Sequence, residues 1–143
     1  MYKVRIFLLN KDNIENKKLC LKLTLDLLFT TVYNINMKEI LFYTSDNGKI
    51  PVQDWINSLD STNKARIYAR FARIQEGNFG DYKKLDSEIS EFRFKFGSGY
   101  RIYYSEIDNI IVLLINAGDK KSQVNDIKKA KEYLENWRQN QNG

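Results

Sequence analysis

The chain has 143 residues, 43% of them hydrophobic, and a formal net charge of +5. That length suffices for one compact domain rather than two, and the excess of positive charge makes a polyanionic partner plausible without requiring one. There is no histidine and a single cysteine, Cys20, which excludes an intramolecular disulfide, a Cys/His zinc site and any histidine-activated nucleophile. Acid–base chemistry must then come from Asp, Glu, Lys, Tyr or Arg, and a cytoplasmic protein is the simplest expectation.

The first 36 residues differ from the rest. Lys11 to Lys18 is polar and reads as a loop. Leu19 to Ile35 is apolar, but Lys22 and Asp26 interrupt it, so it is a poor membrane span. The order of a signal peptide, basic cluster first and small residues last, is absent. Two expectations follow for this stretch. Either Met37 is the true start and residues 1–36 are an over-called reading frame, or they are an extension with an added strand (Val4 to Leu9) and a helix. Residues 1–36 carry 6 basic and 3 acidic residues, leaving 17 basic and 15 acidic for residues 37–143. The second segment is therefore only +2, and a nucleic-acid surface there must come from clustering.

From Met37 the pattern is regular. Lys38 to Tyr43 reads as a strand and Ser45-Asp46-Asn47-Gly48 as a turn. Pro51 suits a first helical position, and Val52, Trp55, Ile56 and Leu59 follow at the spacing of a short amphipathic helix. Asp60, Ser61 or Thr62 can cap a second helix. That helix is expected to bury Ala65, Tyr68 and Ala72 beside Phe71 and Ile74, to turn Arg66, Arg70 and Arg73 outward, and to stop at Gly77. Ser90 to Phe96 alternates as a strand, Gly97-Ser98-Gly99 reads as a hairpin turn, and Tyr100 to Ser105 as the return. Asn109 to Ala117 is nearly all apolar and suits a strand covered on both faces. Ser122 to Arg138 closes as a helix with Val124, Ile127, Ala130, Leu134 and Trp137 as its stripe. The order β-α-α-β-β-β-α predicts an α+β fold with a mainly antiparallel four-stranded sheet, two helices before it and one after.

A three-residue hairpin loop would pair Lys95 with Arg101, Arg93 with Tyr103 and Glu91 with Ser105 on one polar face, with Phe92, Phe94, Phe96, Ile102 and Tyr104 on the core face. Like charges directly across a strand pair repel. A bound anion would turn that repulsion into affinity, whereas a solvated face whose long side chains splay apart would only relieve it. Gly118-Asp119-Lys120-Lys121-Ser122 opens the last helix. It is either an anion site at a helix N-terminus or an ordinary loop with Asp119 as a cap.

Four segments in this order carry a resemblance: Gly77-Asn78-Phe79-Gly80-Asp81, Glu91-Phe92-Arg93, Gly97-Ser98-Gly99-Tyr100-Arg101-Ile102-Tyr103-Tyr104, and Gly118-Asp119-Lys120-Lys121-Ser122-Gln123. With the closing helix Asp126-Ile127-Lys128-Lys129-Ala130-Lys131-Glu132 they resemble the RelE/ParE superfamily, most of all its HigB-type addiction-module-killer branch. The resemblance runs from Met37 to about Trp137. It implies a RelE-like fold and a toxin that cuts mRNA on the ribosome without metal or cofactor. It also implies a cognate antitoxin of helix-turn-helix type as partner.

By position, the resemblance makes Arg101 the phosphate-binding arginine. It makes Arg93 and Lys95 the basic pair of the preceding strand, and Lys120 or Lys121 the basic residue before the last helix. Arginine's fork suits phosphate, and a lysine crowded by cations is a candidate general base, which singles out Lys95. Tyr103 could stack on a base or donate a hydrogen bond. The catalytic set is then Arg93, Lys95, Arg101, Tyr103 and Lys120, with Lys121 added for phosphate binding. Relatives often use a histidine or tyrosine near the last helix; here Asp126 falls there, Tyr133 lies further along, and the proton donor is unassigned. Two alternatives are a ParE-like gyrase inhibitor, which the basic set disfavours, and a decayed toxin that only binds its antitoxin. Arg101→Ala is expected to abolish growth inhibition and leave the protein folded.

Overall fold

The computed structural model describes residues 14–142. The chain divides into two compact units, residues 1–36 and 37–143. In the first, helix α1 spans Ile14–Asn36, so the polar run after Lys11 is helical from Ile14 onward rather than a loop. Thr24, Thr30 and Thr31 each bond the carbonyl four residues back, so these hydroxyls are satisfied without leaving the helix. The strand expected at Val4 to Leu9 lies outside the described residues. Among the described residues no helix is long and apolar enough to cross a membrane.

The second unit is an α+β domain built on β1 (Glu39–Phe42), α2 (Pro51–Asn57), α3 (Ser61–Gln75), β2 (Tyr82–Lys84), β3 (Ser90–Arg93), β4 (Arg101–Ile107), β5 (Ile111–Gly118) and α4 (Gln123–Gln141). Its sheet has five strands in the order β1-β5-β4-β3-β2, one more than expected. The added strand is Tyr82-Lys83-Lys84, exposed at the edge. Three residues with two lysines carry no apolar alternation, and edge lysines protect a sheet against further pairing. Only β1 and β5 run parallel; the other pairs are antiparallel.

Two cores explain the apolar run of β5. Val112 and Leu114 join Val52, Ile56, Ile67, Phe71, Phe92 and Tyr104 on the face under α2 and α3. Leu113 and Ile115 join Tyr43, Ile89, Tyr103, Ala130 and Leu134 under α4. A strand covered on both faces needs no polar alternation. A bulge between Tyr103 and Tyr104 in the β4–β5 ladder leaves Ile115 as the extra residue and keeps each tyrosine on its own face. Asp108 and Asn109 both have positive φ and take the central positions of the turn closed by the Ile110 amide on the Ile107 carbonyl at 3.0 Å, in the three-residue connection 108–110 between β4 and β5; such positions favour these residues.

The caps fall as the sequence implies. Asp60 accepts from the Asn63 amide at 3.0 Å. After α3, Gly77 (φ 85) donates to the Ile74 carbonyl and Asn78 to that of Arg73, the paired bonds of a Schellman ending that needs glycine at the left-handed position. The face of α3 differs from expectation. Ile67, Phe71 and Ile74 are buried, whereas Ala65 and Ala72 are exposed and Tyr68 is 44% exposed. Turning the larger side chains inward buries more apolar area than turning in alanines. On α4, Val124 is 82% exposed and Asp126 is buried in its stead.

Candidate nucleic-acid interface

Three adjacent strands bring the basic segments to one end of the sheet. β3 ends at Arg93, β4 begins at Arg101, and β5 ends at Gly118, with Arg93 paired to Arg101 and Arg101 to Gly118. Lys95 follows Arg93 in the loop 94–100, and Lys120 and Lys121 follow Gly118. The two loops touch: Ser98 Oγ donates to Asp119 Oδ2 at 3.1 Å, and the Lys120 Cβ lies 3.4 Å from where a Cβ on Gly99 would sit.

The hairpin register is shifted by two residues from the expected one. Regular pairing stops at Arg93, and the connection is the longer loop 94–100, closed by the Phe94 amide on the Tyr100 carbonyl at 3.0 Å. Phe94, Phe96 and Tyr100 pack into the core under α3. Burying those rings leaves no extended ladder for Gly97-Ser98-Gly99 to close. As a result Lys95 does not face Arg101; Arg93 does. Glu91 faces Tyr103 rather than Ser105.

Each arginine of the opposed pair has its own carboxylate. Arg93 donates through Nε (3.0 Å) and Nη2 (2.6 Å) to Asp81 Oδ1. Arg101 Nη1 lies 3.5 Å from Glu91 Oε1, and Gln123 Nε2 donates to Glu91 Oε2 at 3.0 Å. The pairs differ in depth. Arg93 and Asp81 are 40% and 31% exposed, Arg101 and Glu91 only 15% and 2%. The first is worth about 0.2–1 kcal/mol. Breaking the second from the arginine side strands a buried carboxylate, at about 3–5 kcal/mol. Arg101→Ala is therefore not the fold-neutral substitution the sequence suggested. Among the described residues the Arg101 Nε has no hydrogen-bond partner.

Tyr103 is fully buried, so it offers no face on which a base could stack. Burial first, then the nearby Asp126 and Glu91 carboxylates, push its hydroxyl pKa well up. Asp126 is buried against β5: its carboxylate bonds the Ser122 hydroxyl, and its carbonyl accepts from Asn116 Nδ2 at 3.0 Å. Burial raises its pKa against the opposing Ser122 bond. Lys120 and Lys121 are exposed. The amides of Lys121 and Ser122 are already taken by Asp119 Oδ1, at 2.9 and 3.1 Å, so Asp119 caps this turn and its carboxylate stands where an external anion was envisaged.

A second basic feature lies on the α3 side. A cleft of ≈ 460 Å³ is lined by Arg66, Ala69, Arg70, Arg73, Asp81, Arg93, Phe94, Lys95 and Phe96. Arg70 anchors it: Nη2 donates to the Phe79 and Asp81 carbonyls, and its guanidinium sits 5.5 Å from the Phe94 ring centre. Gly80 (φ 60) allows this, since a Cβ there would come within 2.7 Å of the Arg70 guanidinium. That gives the Gly77-Asn78-Phe79-Gly80-Asp81 segment a physical purpose: it wraps Arg70 and aims Asp81 at Arg93. Burial first, then Arg73, lower the Arg70 pKa, though arginine stays charged. Arg93 and Lys95 thus also line this cleft, which Arg101 and Tyr103 do not. The i, i+4, i+7 spacing of Arg66, Arg70 and Arg73 was the available signal; nothing in sequence spacing joined it to the strand. Among the described residues no group of three or more acidic, Cys or His side chains is placed to hold a metal.

Residues 54–136 match the family described as phage derived protein Gp49-like (DUF891). An uncharacterized protein of Haemophilus influenzae is 44% identical over 78 residues, covering 54% of this chain and 79% of that one. A solved structure of an E. coli RelE toxin mutant in the free state is similar at a TM-score of 0.47 and 19% identity, over 65% of this chain and 97% of that one. The family match spans more than half of the chain and decides the question: the chain belongs to the phage derived protein Gp49-like family, a family of the RelE and addiction-module-killer type.

Proposed function

We propose that this chain is the toxin of a toxin–antitoxin system, a metal-independent endonuclease that cuts mRNA on the ribosome. The observation that carries the reading is the convergence of Arg93, Arg101 and the Lys120-Lys121 turn at one end of β3, β4 and β5. Placing two arginines directly opposite each other is costly for a sheet and useful for a phosphate. In the proposed reaction the RNA 2′-oxygen attacks the adjacent phosphorus. The bond from phosphorus to the 5′-oxygen breaks, leaving a cyclic phosphate, and the departing 5′-oxygen takes a proton from solvent water to become a 5′-hydroxyl. Charge on the phosphate is stabilised by Arg93 and Arg101. Lys95, exposed in the loop 94–100, takes the 2′-proton, and Lys120, exposed beside that loop, holds the phosphate. An antitoxin partner of helix-turn-helix type would silence the toxin by covering this end of the sheet or locking α4.

The test is to add the full chain to a translating extract, map mRNA 5′ ends and follow plasmid supercoiling. Codon-phased cuts are expected. Intact mRNA with lost supercoiling would instead identify a gyrase poison. No effect from a protein that still binds its antitoxin would mean a toxin that has lost its activity.

A further inference from the structure

The α3 cleft shares Arg93 and Lys95 with the chemistry just described and adds three arginines, Arg66, Arg70 and Arg73, which that chemistry does not use. Five cations, Arg66, Arg70, Arg73, Arg93 and Lys95, surround one carboxylate, Asp81. Like charges gathered in one cleft repel each other, and a bound anion relieves that repulsion. The carboxylate that lines the cleft, Asp81, accepts two bonds from Arg93 on a single oxygen, as one oxygen of a phosphate would.

We infer that the arginines of α3 in this cleft, Arg66, Arg70 and Arg73, bind the RNA backbone next to the scissile phosphate held at Arg93, and that Asp81 is a built-in stand-in for a phosphate which RNA displaces. The inference rests on the proposed action on RNA. Arg66, Arg70 and Arg73 form one helical stripe about 10 Å long, which tracks a chain of charges better than a single ion. Arg70 is immobilised by two carbonyls and so acts as a fixed post, while Arg66 and Arg73 are exposed and free to follow a strand. The Arg66 guanidinium lies 5.2 Å from the centre of the half-buried Phe96 ring. An unstacked base can take that place on the ring. A carboxylate-rich peptide would pair with the arginines but has no use for a flat aromatic face at the mouth.

The probe is a fluorescent 12-nucleotide RNA with every 2′-hydroxyl methylated, which cannot be cut by 2′-oxygen attack and so reports binding alone. The wild-type chain is expected to bind it. Arg66→Glu/Arg73→Glu should weaken binding at least tenfold and reduce the salt slope by about 1.4, roughly 0.7 per lost phosphate contact. Asp81→Asn should tighten binding severalfold, because it removes the competing carboxylate and keeps the Asp81 carbonyl that holds Arg70. This second variant keeps the test decisive if charge reversal disturbs α3. Equal RNA binding by wild type and both variants overturns the cleft and leaves the endonuclease reading intact. Binding of polyglutamate but not RNA, lost in the double variant, overturns it in favour of an acidic protein partner. RNA binding that follows the variants, with no mRNA cuts in the translating extract, supports the cleft and sinks the endonuclease.

Discussion

Arg93 and Arg101 face each other directly across the β3–β4 pair, yet their guanidinium groups turn to different carboxylates, Asp81 at the surface and Glu91 in the interior. The repulsion that sequence spacing implied is real in placement and relieved by acceptors from elsewhere in the chain. The two arginines consequently have different energetic standing, and substitutions separate them.

Arg101→Ala is expected to destabilise the domain by about 3–5 kcal/mol, because Glu91 is left charged and buried. Adding Glu91→Gln should recover at least half of that loss, since the double variant strands no charge. Urea unfolding of the wild type, both single variants and the double variant checks this as a double-mutant cycle. A cost below about 1 kcal/mol for Arg101→Ala would show that the ion pair is solvated.

Arg93→Ala should cost under about 1 kcal/mol, the worth of an exposed pair, while abolishing growth inhibition on induction. Comparing its thermal unfolding with its toxicity in cells tests both halves. Full toxicity in a folded Arg93→Ala protein would remove Arg93 from the phosphate-binding set.

Tyr103→Phe should leave toxicity unchanged and stability within about 1 kcal/mol of wild type. The ring fills the α4-side core, and its hydroxyl has no hydrogen-bond partner among the described residues to lose. A large fall in toxicity at unchanged stability would return Tyr103 to the chemistry.

Asp86 ties the loop before β3 to α4. It bonds Lys131 at 2.7 Å and the amides of Glu88 and Ile89 at 2.8 Å each. The Lys131 bond first, then those two amides, hold its pKa down at about 2. A carboxylate depressed in the fold contributes stability above its unfolded pKa, and that contribution disappears as pH falls through the folded value. Asp86 should therefore help stability fully above pH ~4 and lose its contribution between pH ~4 and ~2. Thermal melts across that window should fall less steeply for Asp86→Asn than for wild type. Parallel curves would show that solvent screens the group.

Gly118→Ala should destabilise strongly. A Cβ there would come within 2.0 Å of an Asp126 carboxylate oxygen and 2.7 Å of the Ser122 hydroxyl, in a buried corner where α4 begins. Asp126→Ala in the same chain should restore part of the loss by opening that space. Unfolding midpoints of the three proteins measure it.

The sequence by itself determined the α+β order, the caps at Asp60 and Gly77, the aromatic core face and the basic character of the strand ends. Those properties depend on short-range rules: side-chain period, the left-handed freedom of glycine, and the acceptor geometry of aspartate. It could not show the β2 edge strand, which has too few residues for a period to be visible. Only the tertiary structure decided the hairpin register, because that depends on whether Phe94, Phe96 and Tyr100 gain more by packing under α3 than by extending the ladder. It also decided which cations are available. Glu91 and Asp81 are ten or more residues away in sequence from the arginines they engage, and only the folded chain reveals that Glu91 is buried and that the segment holding Asp81 wraps around Arg70. The basic face expected from alternation is thus two sites: a sheet end around Arg93, Arg101 and Lys120, and a cleft where Arg93 and Lys95 meet the arginines of α3.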